Sequence, residues 1–237
     1  MTASQLAALA RLLADESRAA ICLALLDGRA WTGGELARHA GIAPATATGH
    51  LHQLVAAGLL EQQRQGRHRY LRLAGPRVAQ LIEELSTHLE PVAPATTLKA
   101  ATVSAALARG RTCYDHLAGR LGVAIADALV RDGLLIRDNG FALTGHGVRW
   151  LADTLGAAPE HAATRRPLAR GCLDWTERRE HLAGIAGARI CRTFADRGWT
   201  ARIGTGRAVR VTRAGAGALT ALFGPDPAWA TGPADVG

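Results

Sequence analysis

Residues Leu36–Leu73, LARHAGIAPATATGHLHQLVAAGLLEQQRQGRHRYLRL, decide how the first part of this chain folds. Just upstream, Thr32 followed three residues later by Glu35 is a capping-box pattern that starts a short helix running to about Ala40. Gly41 stands where a left-handed residue is needed to end that helix. Pro44 suits the first turn of the next helix, because its missing N–H has no partner there anyway, and the apolar spacing carries that helix to about Ala57 before Gly58. Leu60–Arg64 and His68–Leu73 then read as two strands around the turn Gln65-Gly66-Arg67.

Two short helices joined by a glycine turn, followed by a basic-tipped hairpin, make a winged helix-turn-helix. Its second helix suits the major groove of duplex DNA, and its hairpin suits the neighbouring backbone. Ala47, Leu51, Leu54 and Val55 form the expected buried face of that second helix. Thr46, Thr48, Gly49, His50, His52 and Gln53 are left to face DNA. Gln53 can read adenine, and His50 can donate to a base or a phosphate. Arg64, Arg67 and Arg69 are the expected phosphate or minor-groove contacts of the wing. The alternative is that these arginines are only a solvated edge.

Upstream, Leu6, Leu9, Leu12 and Leu13 have helical spacing, and Ser17 is placed to cap a second helix that Asp27-Gly28 closes. Downstream, Val78, Leu81, Ile82, Leu85 and Leu89 line one face of a helix ending at Glu90-Pro91. A small domain cannot bury that stripe alone, so the helix is expected to dimerise.

Composition agrees. Hydrophobic residues make up 48% of the 237 and aromatics only 4%, which favours helices packed through Ala, Leu, Val and Ile. The net charge of +8 points to a polyanionic partner. The excess lies in the second part: residues 1–90 carry 9 Lys and Arg against 8 Asp and Glu, and the remainder carries 19 against 12. Four cysteines with no CxxC pair fit reduced thiols rather than a disulfide scaffold. No signal-like start or membrane-length apolar run is present, so a cytoplasmic protein is expected.

With these residues in place, LLADESRAAICLALLDG and the stretch quoted above resemble the ArsR/SmtB family of winged-helix transcriptional regulators, over roughly the first 90 residues. The resemblance implies a homodimer joined by the first and last helices of the domain, binding a palindromic operator and usually repressing until an inducer binds. Two departures stand out. Ala43 replaces the serine that often caps the recognition helix. Trp31–His39 also lacks the cysteine pair of the family's arsenic and cadmium/lead sensors, and Glu83, Glu84 and His88 are too sparse for the dimer-interface zinc site of related sensors.

Glu90–Thr97, EPVAPATT, marks the domain boundary, giving residues 1–90 as the DNA-binding domain. Beyond it the chain repeats. Arg111-Thr112-Cys113-Tyr114-Asp115 recurs as Arg170-Gly171-Cys172-Leu173-Asp174, and Leu117-Ala118-Gly119 as Leu182-Ala183-Gly184. Asp132-Gly133-Leu134 matches Arg197-Gly198-Trp199, and Leu143-Thr144-Gly145 matches Val211-Thr212-Arg213. Each copy, 98–157 and 165–224, reads as helix, helix, hairpin and helix. The expected fold class is therefore mainly α with β-hairpin wings: a winged helix-turn-helix followed by two degenerate winged-helix-like repeats. The segment from Gly224 lacks periodicity and is expected to be loose.

On a helix, Cys113 and His116 share a face, as do Cys172 and Trp175, with Asp115, Asp174 and His181 nearby. These seven are the candidate sensor residues. Thiolate and imidazole suit zinc or another borderline metal, although Trp175 in the place of His116 argues against a symmetric site, and neither metal nor cofactor is identified. Thiol redox sensing is a second reading, with Arg111, Arg170, Arg178 and Arg179 placed to activate a thiol. A third is an organic ligand lined by Tyr114, Trp150, Trp175 and Trp199. The plainest is packing, with Arg-to-Asp pairs four residues apart holding helix ends; Cys22 and Cys191 read as core. No nucleophile with a placed base, phosphate loop or HExxH pattern occurs, so no enzyme is expected. The rival to a regulator is a constitutive architectural protein whose basic repeats also grip DNA.

Overall fold

The computed structural model describes residues 2–66, 68–88, 98–138, 140–156, 166–204 and 206–230. Two compact units divide it, Met1–Leu85 and Ser86–Gly237. Arg67 and the boundary segment 90–97 lie outside the described residues. Among the described residues, no helix is long and apolar enough to cross a membrane.

The first unit runs α1 (Ala3–Leu13), α2 (Glu16–Leu25), β1 (Trp31–Thr32), α3 (Gly33–His39), α4 (Pro44–Ala56), β2 (Leu60–Gln65), β3 (His68–Leu73) and α5 (Pro76–Thr87). Local chemistry sets these boundaries. Thr32 and Glu35 form the reciprocal capping box at α3, and Gly41 turns the chain at φ 67°. Two expectations are corrected. The cap of α2 is Asp15, whose carboxylate accepts from the Arg18 N–H; Ser17 lies inside the helix. A third strand was also missed: β1 pairs with β3, giving the sheet order β1-β3-β2. Two residues are too few for a period-2 pattern to show. Ile21, Leu25, Leu36, Leu54, Leu60 and Leu73 form the core beneath α4.

The second unit runs α6 (Leu98–Arg109), β4 (Arg111–Cys113), β5 (His116–Ala118), α7 (Gly119–Arg131), β6 (Leu135–Ile136), β7 (Ala142–Leu143), α8 (Gly145–Leu155), β8 (Arg170–Leu173), β9 (Glu180–Ala183), α9 (Gly184–Asp196), β10 (Thr200–Arg202), β11 (Val209–Val211) and α10 (Arg213–Phe223). The order hairpin, helix, hairpin, helix thus occurs twice. In the first copy α6 is the expected leading helix, but a hairpin stands between it and α7; in the second, the described residues open on the hairpin β8–β9. Both cysteines therefore lie on hairpin strands and not on helices, which corrects their placement.

The two halves share one core: Leu117, Leu121, Ile125 and Leu129 pack with Leu182, Ile190, Phe194 and Leu219. Glycine makes the crossing possible. A Cβ on Gly122 would lie 2.3 Å from the Leu117 carbonyl and 3.5 Å from the His181 Cβ, and one on Gly187 would lie 2.3 Å from the Leu182 carbonyl and 3.2 Å from the His116 Cβ. Each helix therefore approaches the hairpin before it and the histidine of the other half. The C-terminal segment is not loose as far as Ala230: Trp229 is buried in the shared core, and its indole N–H donates to the Gly224 carbonyl at 3.1 Å. A single anchoring residue leaves no periodicity to read.

Candidate DNA-reading surface and buried cysteine–histidine cluster

α4 presents the expected faces. Ala47, Leu51 and Leu54 are buried and Val55 is half-buried, while Thr46, Thr48, Gly49, His52 and Gln53 are exposed. Its first turn has no side-chain cap at Ala43, and Pro44 occupies the start, so donors at this end remain available to an anion. His50 departs from its expected role. It is half-buried and turned towards α2, where an Arg18 Nη1 donor lies 3.2 Å from its Nδ1 and the Asp15 carboxylate lies 3.9 Å from its Nε2.

Arg18 organises this corner. Its Nε donates to the Leu12 carbonyl at 2.6 Å and its Nη2 to the Arg11 carbonyl at 3.0 Å, so it ties the end of α1 to α4. Its Nη1 also donates to Gln53 Oε1 at 3.1 Å. Gln53 uses its oxygen and its amide N–H in a bidentate adenine contact, and because the oxygen has two lone pairs the Arg18 bond can hold the side chain while the second lone pair and the NH₂ group remain for the base. Sequence spacing carried no sign of this, because Arg18 and Gln53 lie 35 residues apart.

On the wing, Arg64 and Arg69 are exposed and directly paired across the strands. Like charges opposite one another destabilise a hairpin, a cost that a bound polyanion removes. Arg72, by contrast, is neutralised by Glu61 at 2.6 Å.

The cluster in the second unit comes from two hairpin pairs, Cys113 opposite His116 and Cys172 opposite His181. All four residues are buried, and one ligand atom from each lies within 4.8 Å of all the others. The two sulfurs are 3.9 Å apart and the two Nε2 atoms 3.1 Å apart. This overturns the expectation that Trp175 spoils the symmetry. The second hairpin has the six-residue loop 174–179 where the first has only Tyr114 and Asp115, so the counterpart of His116 is His181. Trp175 instead lies under the Arg111 guanidinium at 4.6 Å.

Carboxylates stand behind both imidazoles. His116 Nδ1 is 3.3 Å from Asp115 Oδ1, and His181 Nδ1 is 3.3 Å from Asp174 Oδ2, the latter off the line of a good hydrogen bond. The expected Arg-to-Asp pairs at four-residue spacing are replaced by crossed ones. Arg111 donates to Asp174 at 3.0 Å in a fully buried pair, and Arg166 grips Asp115 with two bonds of 2.5 and 2.9 Å. Asp174 Oδ2 further accepts from the Gly119 N–H at 2.6 Å, while its Oδ1 accepts from Thr176 and Glu177.

These contacts set the protonation of the cluster. Burial works to raise Asp115, but bonds from His116 and Arg166 outweigh it and hold the group down at about 2. Burial likewise opposes, and His181 and Arg111 overcome, so that Asp174 stays well below the usual carboxylate range. The hydrogen bond with Cys113 is the main cause holding the Cys172 thiol far below its ordinary value, followed, against burial, by His116 and His181. Cys113 and the two imidazoles stand in the place of the four arginines expected from sequence. Burial pushes Cys22 up to about 11, and burial with the Asp115 charge pushes Cys191 up to about 12, as suits core thiols.

Of the proposed aromatic lining, Trp150 packs on Phe223 at 5.7 Å and Trp199 on Phe194 at 5.1 Å, both against the shared core, and Trp175 lies under Arg111.

Residues 13–63 match the helix-turn-helix domain model, which covers α2 to β2. The chain is also 42% identical over 212 residues to the HTH-type transcriptional regulator YdfF of Bacillus subtilis (strain 168), covering 89% of this chain and 93% of that one. The chain belongs to the HTH-type transcriptional regulators. A second relative, the HTH-type transcriptional regulator CmtR of Mycobacterium bovis, is 39% identical over 85 residues, 36% of this chain and 71% of its own. Among solved structures, the homodimeric winged helix-turn-helix domain of Mycobacterium bovis Mb0332 is 33% identical over 37% of this chain and 83% of that one, with a TM-score of 0.33. This regulator's first unit is a DNA-binding winged helix of the ArsR/SmtB type.

Proposed function

We infer that the regulator is a homodimeric repressor that reads operator DNA through Thr46, Thr48, Gly49, His52 and Gln53, grips its backbone through Arg64, Arg67 and Arg69, and takes its signal at the second unit. The observation that carries the DNA reading is the exposed polar face of α4 together with the exposed, cross-strand pair Arg64 and Arg69. His50 acts from behind this face, as a positioning residue held by Arg18. Dimerisation is supported by apolar side chains left on the outer helices, with Leu6 of α1 and Leu85 of α5 both exposed.

A gel-shift series on the promoter DNA flanking its own gene tests this. Gln53→Ala is expected to relax preference at one base position, and Arg64→Ala combined with Arg69→Ala to weaken every sequence alike and reduce the salt slope by roughly 2. Equal loss on specific and nonspecific DNA for both sets would remove Gln53 from base reading.

For the second unit, the supporting feature is a buried set of soft and borderline donors in a region that the DNA-reading role leaves unused. The rival, an architectural protein whose second unit also grips phosphate, predicts that deleting residues 98–237 flattens the salt dependence of binding. An unchanged slope leaves the regulatory reading standing.

A further inference from the structure

We propose that Cys113, His116, Cys172 and His181 form a closed, four-coordinate site for one zinc-class divalent ion that holds the two halves of the second unit together.

The sulfur–sulfur and nitrogen–nitrogen edges have the lengths of a tetrahedral site, and all four donors lie within 4.8 Å of one another, close enough to draw in around one ion. Zinc–sulfur bonds of about 2.3 Å and zinc–nitrogen bonds of about 2.0–2.1 Å place two sulfurs about 3.8 Å apart and two nitrogens about 3.3–3.4 Å apart around one ion. The observed separations are 3.9 Å for the sulfurs and 3.1 Å for the Nε2 atoms. No carboxylate belongs to this set of ligand atoms, which disfavours magnesium and calcium and suits zinc, cobalt or cadmium.

The histidine tautomers lead to the same site. Each Nδ1 lies 3.3 Å from a carboxylate oxygen, the side-on support that in a metal site keeps the proton on Nδ1 and turns Nε2 to the ion. The two Nε2 atoms then point at one another at 3.1 Å inside the protein. Two lone pairs in that position repel unless a proton or a metal ion lies among them. A metal ion satisfies both nitrogens and both thiolates together, whereas a single proton satisfies only one contact.

The turns of both hairpins also carry unusual backbone. Among the described residues, the two non-glycine residues with positive φ are Tyr114 at 59° and Arg178 at 54°, one in the turn of each ligand-bearing hairpin. Side chains other than glycine rarely adopt that region, and such outliers gather where a site constrains the chain. Gly122 and Gly187, which let each helix approach the opposite histidine, complete the arrangement.

With four protein ligands and no open position, the ion is a clasp rather than a catalyst. It joins β4–β5 to β8–β9, and so the two halves of the second unit, across 59 residues between the cysteines. Loading the site is thus coupled to the packing of the whole unit. The two supports behind the histidines differ. Asp174 and Arg111 are fully buried, whereas Asp115 and Arg166 are partly exposed, so the His116 arm is where the ion enters and leaves.

The test uses the full-length protein, stripped of metal with a chelator under reducing conditions and titrated with Zn²⁺ or Co²⁺. We expect one ion per chain by elemental analysis, and for cobalt the intense visible bands and thiolate charge-transfer absorption of a tetrahedral S₂N₂ site. Cys113→Ser and His181→Ala should abolish that spectrum. Because ligand variants can misfold, Arg166→Gln provides a second arm: it leaves all four ligands in place and should weaken metal binding about tenfold or more, with faster release to a chelator. Substoichiometric uptake, a weak six-coordinate spectrum, or an unchanged spectrum in His181→Ala would overturn the site.

Discussion

Asp174→Asn isolates the electrostatic support of the second unit with almost no change in volume. Asp174 is fully buried, and its Oδ2 receives Arg111 at 3.0 Å and the Gly119 N–H at 2.6 Å, with His181 Nδ1 at 3.3 Å. Its Oδ1 serves the Thr176 hydroxyl and backbone N–H groups. An asparagine can keep its oxygen towards Thr176, but its NH₂ group then meets three donors and leaves the Arg111 charge uncompensated. Removing one partner of a buried ion pair costs about 3–5 kcal/mol. For a unit of this size each kcal/mol lowers the melting temperature by roughly 2–4 °C, so a fall of about 6–20 °C is expected. Tryptophan fluorescence is a suitable assay, since Trp150, Trp175, Trp199 and Trp229 all lie in this unit and only Trp31 in the other. Arg166→Gln is the control: that pair with Asp115 is partly solvated, and exposed pairs contribute about 0–1 kcal/mol. If Asp174→Asn melts no lower than Arg166→Gln, Asp174 is not the central support described here.

Gly122→Ala forces a Cβ to within 2.3 Å of the Leu117 carbonyl and should destabilise the second unit by about 1–3 kcal/mol in urea unfolding, whereas Gly217→Ala, where nothing lies within 4 Å, should not. Arg18→Ala is expected to cost about 1 kcal/mol through its lost bonds to α1 and α4, and to broaden base preference in binding-site selection as His50 and Gln53 become free. Thr32→Ala should destabilise the first unit by about 1 kcal/mol in thermal melts at neutral pH. The Thr32 backbone N–H holds Glu35 below its usual value, so the carboxylate's share of this cap is present above about pH 4.3 and lost as the pH falls through the lowered value.

Much of the first unit was legible because its signals are local. Thr32 with Glu35, Gly41, Pro44 and the Ala47/Leu51/Leu54 stripe each act within a few residues, and the turn, caps and buried face follow from them. His50 was misread because its partners, Arg18 and Asp15, come from another helix. Cys113 and His116 show a subtler ambiguity. Residues three apart are neighbours on a helix and also face each other across a two-residue hairpin, so the spacing announced a pair without naming the element that holds it.

By itself, then, the sequence determined the winged helix-turn-helix, its polar reading face and the fact that cysteine motifs recur beyond residue 98. Only the tertiary structure decided which histidine completes the second motif. A longer loop moved His181 out of step with His116, and strand pairing restored the match that spacing had lost. It also decided that the two halves cross, with Arg111 reaching Asp174 and Gly122 approaching His181, because a shared core can form only when each helix packs on the other half's hairpin. Local propensity sees neighbours along the chain; four donors gathered from positions 113 to 181 are a property of packing.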